Sequence, residues 1–455
     1  MKIFIQNLHF FRKFVLKNVK NVDIINIYSF LRIYIMLLQF QCKNHRSIKD
    51  EITFSMLASS DDSHEEKLIK NLGEGNYISR CASLYGANGS GKTSIISAIL
   101  YMKQLVVSSN SYQNESQMVR LPHKLAVDSP TEYSINFEKN GIVYQYSFEY
   151  DNKEILAESL FYWPNGKKAM IFERTSEMVN NEPTFKFSTE FRKIGENCRG
   201  RLKSFKLLLS VAFAETNIEY VANAFNFFQN DLVILFSNEP SNWLQYSLDS
   251  LKKDEELRKT FLDFLHSIGS DILDLILVDQ VRRFSEKELL KFPSELRQAL
   301  SNQSLRLNNI LILRYKDFDI DINEESEGIK KLFAMVCPLI DIIRNNKIFF
   351  CDEIENSLHS SIVLEIIRRF FNNEKSTAQL IFATHNTEIL DLNIMRRDQI
   401  WFTELETTER KTDLFSLSDI KNVRKDEAVQ RGYIAGKYGA IPMINTEIQK
   451  ICEGC

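Results

Sequence analysis

A chain of 455 residues with 44% apolar content can bury a large core and has the length of about two to four domain-sized units. Its formal net charge of −3 gives no global attraction for nucleic acid, so any such contact needs a local patch. The seven cysteines are scattered, and Cys81 and Cys351 lie in apolar runs, which fits a reducing cytoplasm better than a disulfide framework. Cys452 and Cys455 form a terminal C-x-x-C with no second pair nearby, a weak case for metal or redox use.

Residues 1–35 carry six basic residues against one acid, Asp23. Their longest uncharged stretch after Lys20 covers 24–31, well short of the ~20 residues that a membrane-spanning helix needs. A more regular pattern begins at Met36. The expectation is that translation starts there and that 1–35 is an extension outside the native chain. LLQFQCKN and DEITFSML alternate as strands across the polar turn NHRSIKD, a β-hairpin, and the polar stretch 57–80 reads as loop.

The stretch 81–100, CASLYGANGSGKTSIISAIL, passes from an apolar run through a glycine-rich turn into helix-forming sequence. Gly86, Gly91, Lys92 and Thr93 satisfy G-x-x-x-x-G-K-[ST], the phosphate-binding loop, which comprises Gly86, Ala87, Asn88, Gly89, Ser90, Gly91, Lys92, Thr93 and Ser94. Its glycines let backbone N–H groups turn inward on a polyphosphate, and the helix presents its positive end to the same anion. Lys92 would reach the β- and γ-phosphates of ATP, and the Thr93 hydroxyl would bind Mg²⁺.

From 131 to 163 the alternation and the turn signals at Asn140-Gly141 and Asp151-Asn152 predict an antiparallel meander, which IFERT and FKFST extend. From about 203 the spacing becomes helical in LKSFKLLLSVAFAE, LRKTFLDFLHSIGSDILDL and ELRQALSN, without the heptads of a coiled-coil arm. His266 reads as a structural histidine of that region. The predicted organisation is an extension over 1–35, a first ATPase half over 36–202, a helical insertion over 203–305, a second ATPase half over 306–420 and a tail over 421–455.

In the second half, IFFCDE reads as a buried strand ending in two carboxylates. Asp352 is placed to hold Mg²⁺, directly or through water, and Glu353 to act as general base on the attacking water. QLIFATHN is another buried strand, ending in His385, which can touch the terminal phosphate or the water. Upstream, ESEGIKKLFAM opens a helix with Ser326, Gly328 and Lys330. Taken singly, the DE pair and the histidine are weak signals; their order in the chain carries the weight.

That order is the order of ABC-type ATPases. NHRSIKDEITFSM, GANGSGKTS, ESEGIKKLF, FFCDEIENSLHSS, IFATHNTEIL and RKDEAVQRGYIAGKYGAIP resemble the prokaryotic ABC-class ATPases of the AbiL/OLD-like group, from Met36 to about Asn445. The resemblance implies an α/β P-loop NTPase of the ABC/SMC-head type, with an antiparallel β lobe and a helical insertion. It implies a homodimer or higher homo-oligomer closed around two ATPs, in which Ser326 and Gly328 of one copy, with the nearby Lys330, meet the γ-phosphate held by Lys92 and Thr93 of the other. It further implies that 355–358 crosses that interface, that His385 is the switch histidine, and that a TOPRIM-type nuclease is controlled in trans in defence against phage, since no room for a fused nuclease is seen. The signature reads SEG where transport ATPases have SGG, His359-Ser360 replaces the commoner His-Pro, and the Mg²⁺-sensing glutamine has no assigned position.

Other readings remain. A DNA-repair or chromosome-maintenance ATPase acting directly on DNA is a separate class. A transporter motor fits poorly, because Lys92 and Asp352 are far apart in the chain, and a non-hydrolysing sensor fits poorly with Glu353 and His385 both present. Arg424, Lys425, Arg431 and Lys437, with Tyr433 and Tyr438, are equally suited to meet a partner or nucleic acid and to pack as a solvated tail.

Overall fold

The computed structural model describes residues 35–441 apart from 62, 66–67, 71–76, 180–181, 237–239, 284–303, 356–357, 373–375 and 425–426. The extension before residue 35, the segment ELRQALSN, Lys425 and the Cys452/Cys455 pair therefore lie outside the described residues.

β1 (Ile35–Lys43) and β2 (Ile52–Ser55) form the expected antiparallel hairpin. In the stretch expected as loop, β3 (Leu68–Lys70) and β4 (Tyr77–Ser79) make a small antiparallel pair. β5 (Cys81–Tyr85) is buried throughout and leads into α1 (Lys92–Ser108). The meander is β6 (Thr131–Lys139), β7 (Ile142–Tyr150), β8 (Ile155–Tyr162), β9 (Ala169–Val179) and β10 (Glu182–Phe187). It joins the first hairpin in one sheet of order β10-β9-β8-β7-β6-β1-β2. Asn140 and Gly141 both take positive φ, 56° and 76°, the two-residue turn whose twist matches the flanking strands.

Three helices, α2 (Arg192–Arg199), α3 (Leu208–Glu215) and α4 (Glu219–Asn226), contribute to the core beneath this sheet. Phe227, just beyond them, stacks on Phe137 at a centroid distance of 3.9 Å. Glu158 fixes the junction. Its buried carboxylate accepts from Tyr146 Oη (2.9 Å), Arg174 Nε (2.8 Å) and the backbone N–H groups of Leu208 (2.7 Å) and Leu209 (2.9 Å) at the start of α3. Amides in a first helical turn have no intrahelical acceptor, and a carboxylate there also suits the helix dipole.

The second half supplies β11 (Leu232–Leu235), α5 (Pro240–Lys253), α6 (Glu255–Ser267), β12 (Asp274–Arg283), β13 (Ser304–Arg314), β14 (Asp319–Asp321) and α7 (Glu327–Asn345). There follow β15 (Ile348–Cys351), α8 (Ser360–Asn372), β16 (Gln379–Ala383), β17 (Ile400–Glu406), β18 (Lys411–Ser416) and the short α9 (Val429–Ile434). The central sheet runs β11-β15-β16-β5-β17-β18 and is parallel except for β18. Its inner strands β15, β16 and β5 are buried along their whole length because both faces are covered. Ile348 and Phe350 of β15 join the core shared with the β lobe and α1, whereas Phe349 and Cys351 join the core built with α7 and α8.

The stretch 203–305 is not helical throughout. LVIL forms β11, the edge strand beside β15, and 274–283 forms half of a long antiparallel pair with β13. A four-residue apolar run between helical patterns has no periodicity that separates strand from buried helix. The two sheets are tied together by Gln379, whose side-chain amide accepts from Leu37 N (2.6 Å) and donates to Leu37 O (3.0 Å) and Ser79 O (3.0 Å). The register of β1 against β6 shifts at this point, between Leu37 and Gln39.

Glu158→Ala would leave the Arg174 guanidinium buried beside an empty acceptor position. Losing one partner of a buried pair costs about 3–5 kcal/mol. A drop of that size in unfolding free energy by urea titration is the expected outcome, and a change under about 1 kcal/mol would mean that the junction is not fixed this way.

Candidate functional site

The parallel strands direct their carboxyl ends to one edge of the sheet, where ligands bind in open α/β folds. The loops that follow β5, β15 and β16 carry the predicted residues there. The chain leaves β5 at Gly86, turns through half-buried Ala87 and exposed Asn88 and Gly89, and enters α1 past Gly91, whose φ of 115° favours glycine. Lys92 is only 6% exposed, and its ammonium donates to Gly86 O (2.7 Å) and Ala87 O (3.2 Å), across the hollow of its own loop. Burial pulls its pKa down to about 8 against the opposing pull of Asp352, Glu355 and Glu353.

Thr93 Oγ1 donates to Asp352 Oδ2 at 3.0 Å, joining residues 259 positions apart. Burial pushes the Asp352 carboxyl up, and the Thr93 hydrogen bond opposes it. Asp352 N donates to Leu235 O (2.9 Å), and Ile354 N donates to Ala383 O (3.2 Å). The chain between these anchors must turn within one residue. Glu353 therefore takes a left-handed φ of 51°, a strained conformation for a residue with a Cβ.

Glu355 belongs to the same cluster, although sequence reasoning placed it only at a subunit interface. One of its carboxylate oxygens accepts from His385 N, and the other, Oε2, is buried with no hydrogen-bond partner. The only local signal was a third acid soon after Asp352. His385 is exposed at the mouth of the cluster, among charged groups. Desolvation first, then the Lys92 ammonium, lowers its pKa from the usual imidazole value, against the opposing pull of Glu355 and Glu353. Beneath it, Tyr85 Oη donates to Asn386 O at 3.0 Å.

The phosphate-loop lysine and threonine, the acidic pair and the histidine thus come together. Ser94 is buried, and its hydroxyl is engaged by Ser47 Oγ at 2.8 Å. Ser326, Gly328 and Lys330 stand apart at the start of α7. Ser326 is exposed and caps the helix by accepting from Ile329 N at 3.3 Å, and Lys330 pairs with Glu327 at 3.1 Å. Among the described residues, no hydrogen bond or ion pair joins these three to the phosphate loop of the same chain.

In the tail, Tyr433 and Tyr438 are core residues rather than an offered surface. Their rings stack on Phe402 at 5.5 and 6.0 Å. Lys437 pairs with Glu427, while Arg424 and Arg431 are exposed. His266 is bonded to Ile272 O at 2.6 Å, a structural contact.

The donor set fits a magnesium nucleotide. Gly89 has open space where a Cβ would stand, the first-turn amides of α1 have no side-chain cap, and a buried ammonium faces three carboxylates. Among the described residues, no group of three or more His, Cys, Asp or Glu could hold a metal by itself. Mg²⁺ is commonly bound by one or two protein oxygens together with phosphates and water, and Thr93 and Asp352 offer two such oxygens. No described helix is long and apolar enough to cross a membrane.

The phosphate loop, antiparallel lobe, serine-capped helix, DE strand and histidine strand define an α/β P-loop NTPase of the ABC/SMC-head type. Residues 81–391 match the family described as "AAA domain, putative AbiEii toxin, Type IV TA system", and the chain belongs to that family. Among curated proteins, none matches. Similar solved structures include an SMC head bound to the C-winged helix domain of ScpA, with TM-score 0.43 and 14% identity, covering 84% of this chain and 99% of that one. An SMC head domain from Thermotoga maritima gives TM-score 0.37 and 12% identity, covering 84% and 98%. An SMC head with an extended coiled coil, bound to the C-terminal domain of ScpA derived from Pyrococcus furiosus, gives TM-score 0.36 and 12% identity, covering 85% and 97%. At these scores the likeness is a description only, and the fold assignment rests on the strand order and loops above.

Glu355→Ala is expected to release the His385 amide, raising its hydrogen–deuterium exchange about tenfold or more, because a bond to a charged acceptor contributes roughly 1.5–3 kcal/mol. Glu355→Gln keeps an acceptor and should fall between. Unchanged exchange in the alanine variant would remove Glu355 from the site.

Proposed function

We propose that the chain binds Mg-ATP in the 86–94 loop and hydrolyses it, and that two copies close around two nucleotides. The observation that carries this reading is the Thr93–Asp352 hydrogen bond beside the buried Lys92 ammonium. A hydroxyl and a carboxylate at 3.0 Å present two oxygens to a divalent cation, while Lys92 and the first-turn amides of α1 hold the phosphates. Mg²⁺ bound with the nucleotide supplies neutralisation of the phosphate charge. Asp352 and Thr93 orient it, Glu353 takes the proton of the attacking water, and His385 offers a ring nitrogen to the water or terminal phosphate. Exposed Ser326 and the free start of α7 favour the reading in which Ser326, Gly328 and Lys330 serve the nucleotide of a second copy.

The family description and the likeness of the motifs to the AbiL/OLD-like group support a role in abortive infection, in which the ATP-dependent assembly controls a TOPRIM-type nuclease partner.

Lys92→Ala should abolish ATP binding and phosphate release; hydrolysis at the wild-type rate would refute the site. Glu353→Gln should bind ATP normally and lower turnover by about 10²–10⁴-fold, as loss of a general base does. It should also accumulate the closed dimer in light scattering.

The depressed Lys92 pKa sets a pH dependence. Below about 8 the free protein already carries the ammonium that binds phosphate. Above about 8 binding must take up a proton, so affinity for ATP is expected to fall by up to about tenfold per pH unit. Titrations of the wild-type protein with ATP at pH 7 and 9 check this; affinity that rises with pH would contradict it.

A further inference from the structure

The glycines of the phosphate loop face two threonines from outside the motif. A Cβ at Gly86 would lie 2.4 Å from Thr403 Oγ1, and one at Gly91 would lie 2.1 Å from Thr412 Oγ1. Both threonines are buried, on the paired strands β17 and β18. Thr403 Oγ1 lies 2.6 Å from Ser90 Oγ and donates to Tyr85 O at 3.2 Å. Thr412 Oγ1 lies 2.9 Å from Ser90 O and 2.7 Å from Ser47 Oγ, and the Ser47 hydroxyl reaches Ser94 Oγ at 2.8 Å. The backbone joins in, because Thr412 N donates to Ser47 O at 2.8 Å. Two ion pairs flank the join, Lys49–Glu409 at 2.6 Å and Lys411–Asp50 at 2.8 Å.

We propose that Thr403 and Thr412 are positioning residues for the triphosphate: their hydroxyls hold the Ser90 peptide and side chain, and so fix the direction in which the loop amides point. The inference rests on the nucleotide-binding reading of the same loop. An apolar residue of equal size at either position would leave Ser90 O or the Ser90 hydroxyl buried without that partner, and the loop would bind phosphate in fewer of its conformations. Ser47 extends the brace to the β1–β2 turn, so the β lobe and the β17–β18 hairpin meet over the loop. Preorganisation of this kind acts on binding, not on the groups that attack the γ-phosphate.

Valine replaces threonine in shape without the hydroxyl, and serine keeps the hydroxyl without the methyl. The experiment measures the affinity of the full chain for a fluorescent ATP analogue and its steady-state hydrolysis, for wild type, Thr403→Val, Thr412→Val, Thr403→Ser, Thr412→Ser and Lys92→Ala. The valine variants are expected to bind about five- to tenfold more weakly and to raise KM by the same factor with kcat at saturation unchanged. The serine variants are expected to match wild type. Valine variants that bind like wild type overturn the proposal, as do serine variants weakened as much as valine. A valine variant too unstable to purify assigns the hydroxyl to the fold and also counts against it. If wild type does not bind, or Lys92→Ala binds equally well, the nucleotide-binding reading itself fails, a result distinguishable from the others.

Discussion

A buried ammonium has to be satisfied, and at Lys92 the partners are two carbonyls of its own loop. Stripping water from a charge costs several kcal/mol unless hydrogen bonds and nearby opposite charge compensate. Gly86 O and Ala87 O supply the bonds, and Asp352, Glu353 and Glu355 supply the field. This constraint organises the molecule. The lysine can sit there only if the loop turns tightly before α1, and the acids can face it only if β15 and β5 are parallel neighbours of β16.

The two halves of the site are far apart in the chain and are brought together by the parallel sheet. Strained Glu353 shows the cost of that placement, since Asp352 and Ile354 are both pinned to adjacent strands and the residue between them absorbs the turn. The His385 loop is held from two sides, by Glu355 at its backbone and by Tyr85 at Asn386. Tyr85 is in turn packed against Tyr433, with ring centroids 5.9 Å apart. The tail helix therefore buttresses the histidine loop, which explains why its aromatic residues are inside.

The meander, the first hairpin, the phosphate loop and the DE and histidine strands were legible in the sequence because each is a local pattern: period-two alternation, an Asn-Gly turn, fixed glycines or an unbroken apolar run. What was not legible depends on register between distant segments. Thr403 and Thr412 are ordinary strand residues until β17 and β18 are laid beside the loop. Glu355 was read only as part of a segment crossing a subunit interface until the end of β16 was placed next to it. β11 was hidden because LVIL carries no period of its own, and the choice between an offered and a packed tail stayed open because the packing partner of its tyrosines, Phe402, is far away in sequence.

The most direct test of the account is a crystal structure of the Glu353→Gln protein with Mg²⁺ and ATP. The account predicts the cation between Thr93 Oγ1 and the Asp352 carboxylate, the β- and γ-phosphates against Lys92 Nζ, and Ser326 of a second copy at the γ-phosphate. Nucleotide bound away from Lys92, or a cation that ignores Asp352, would contradict it.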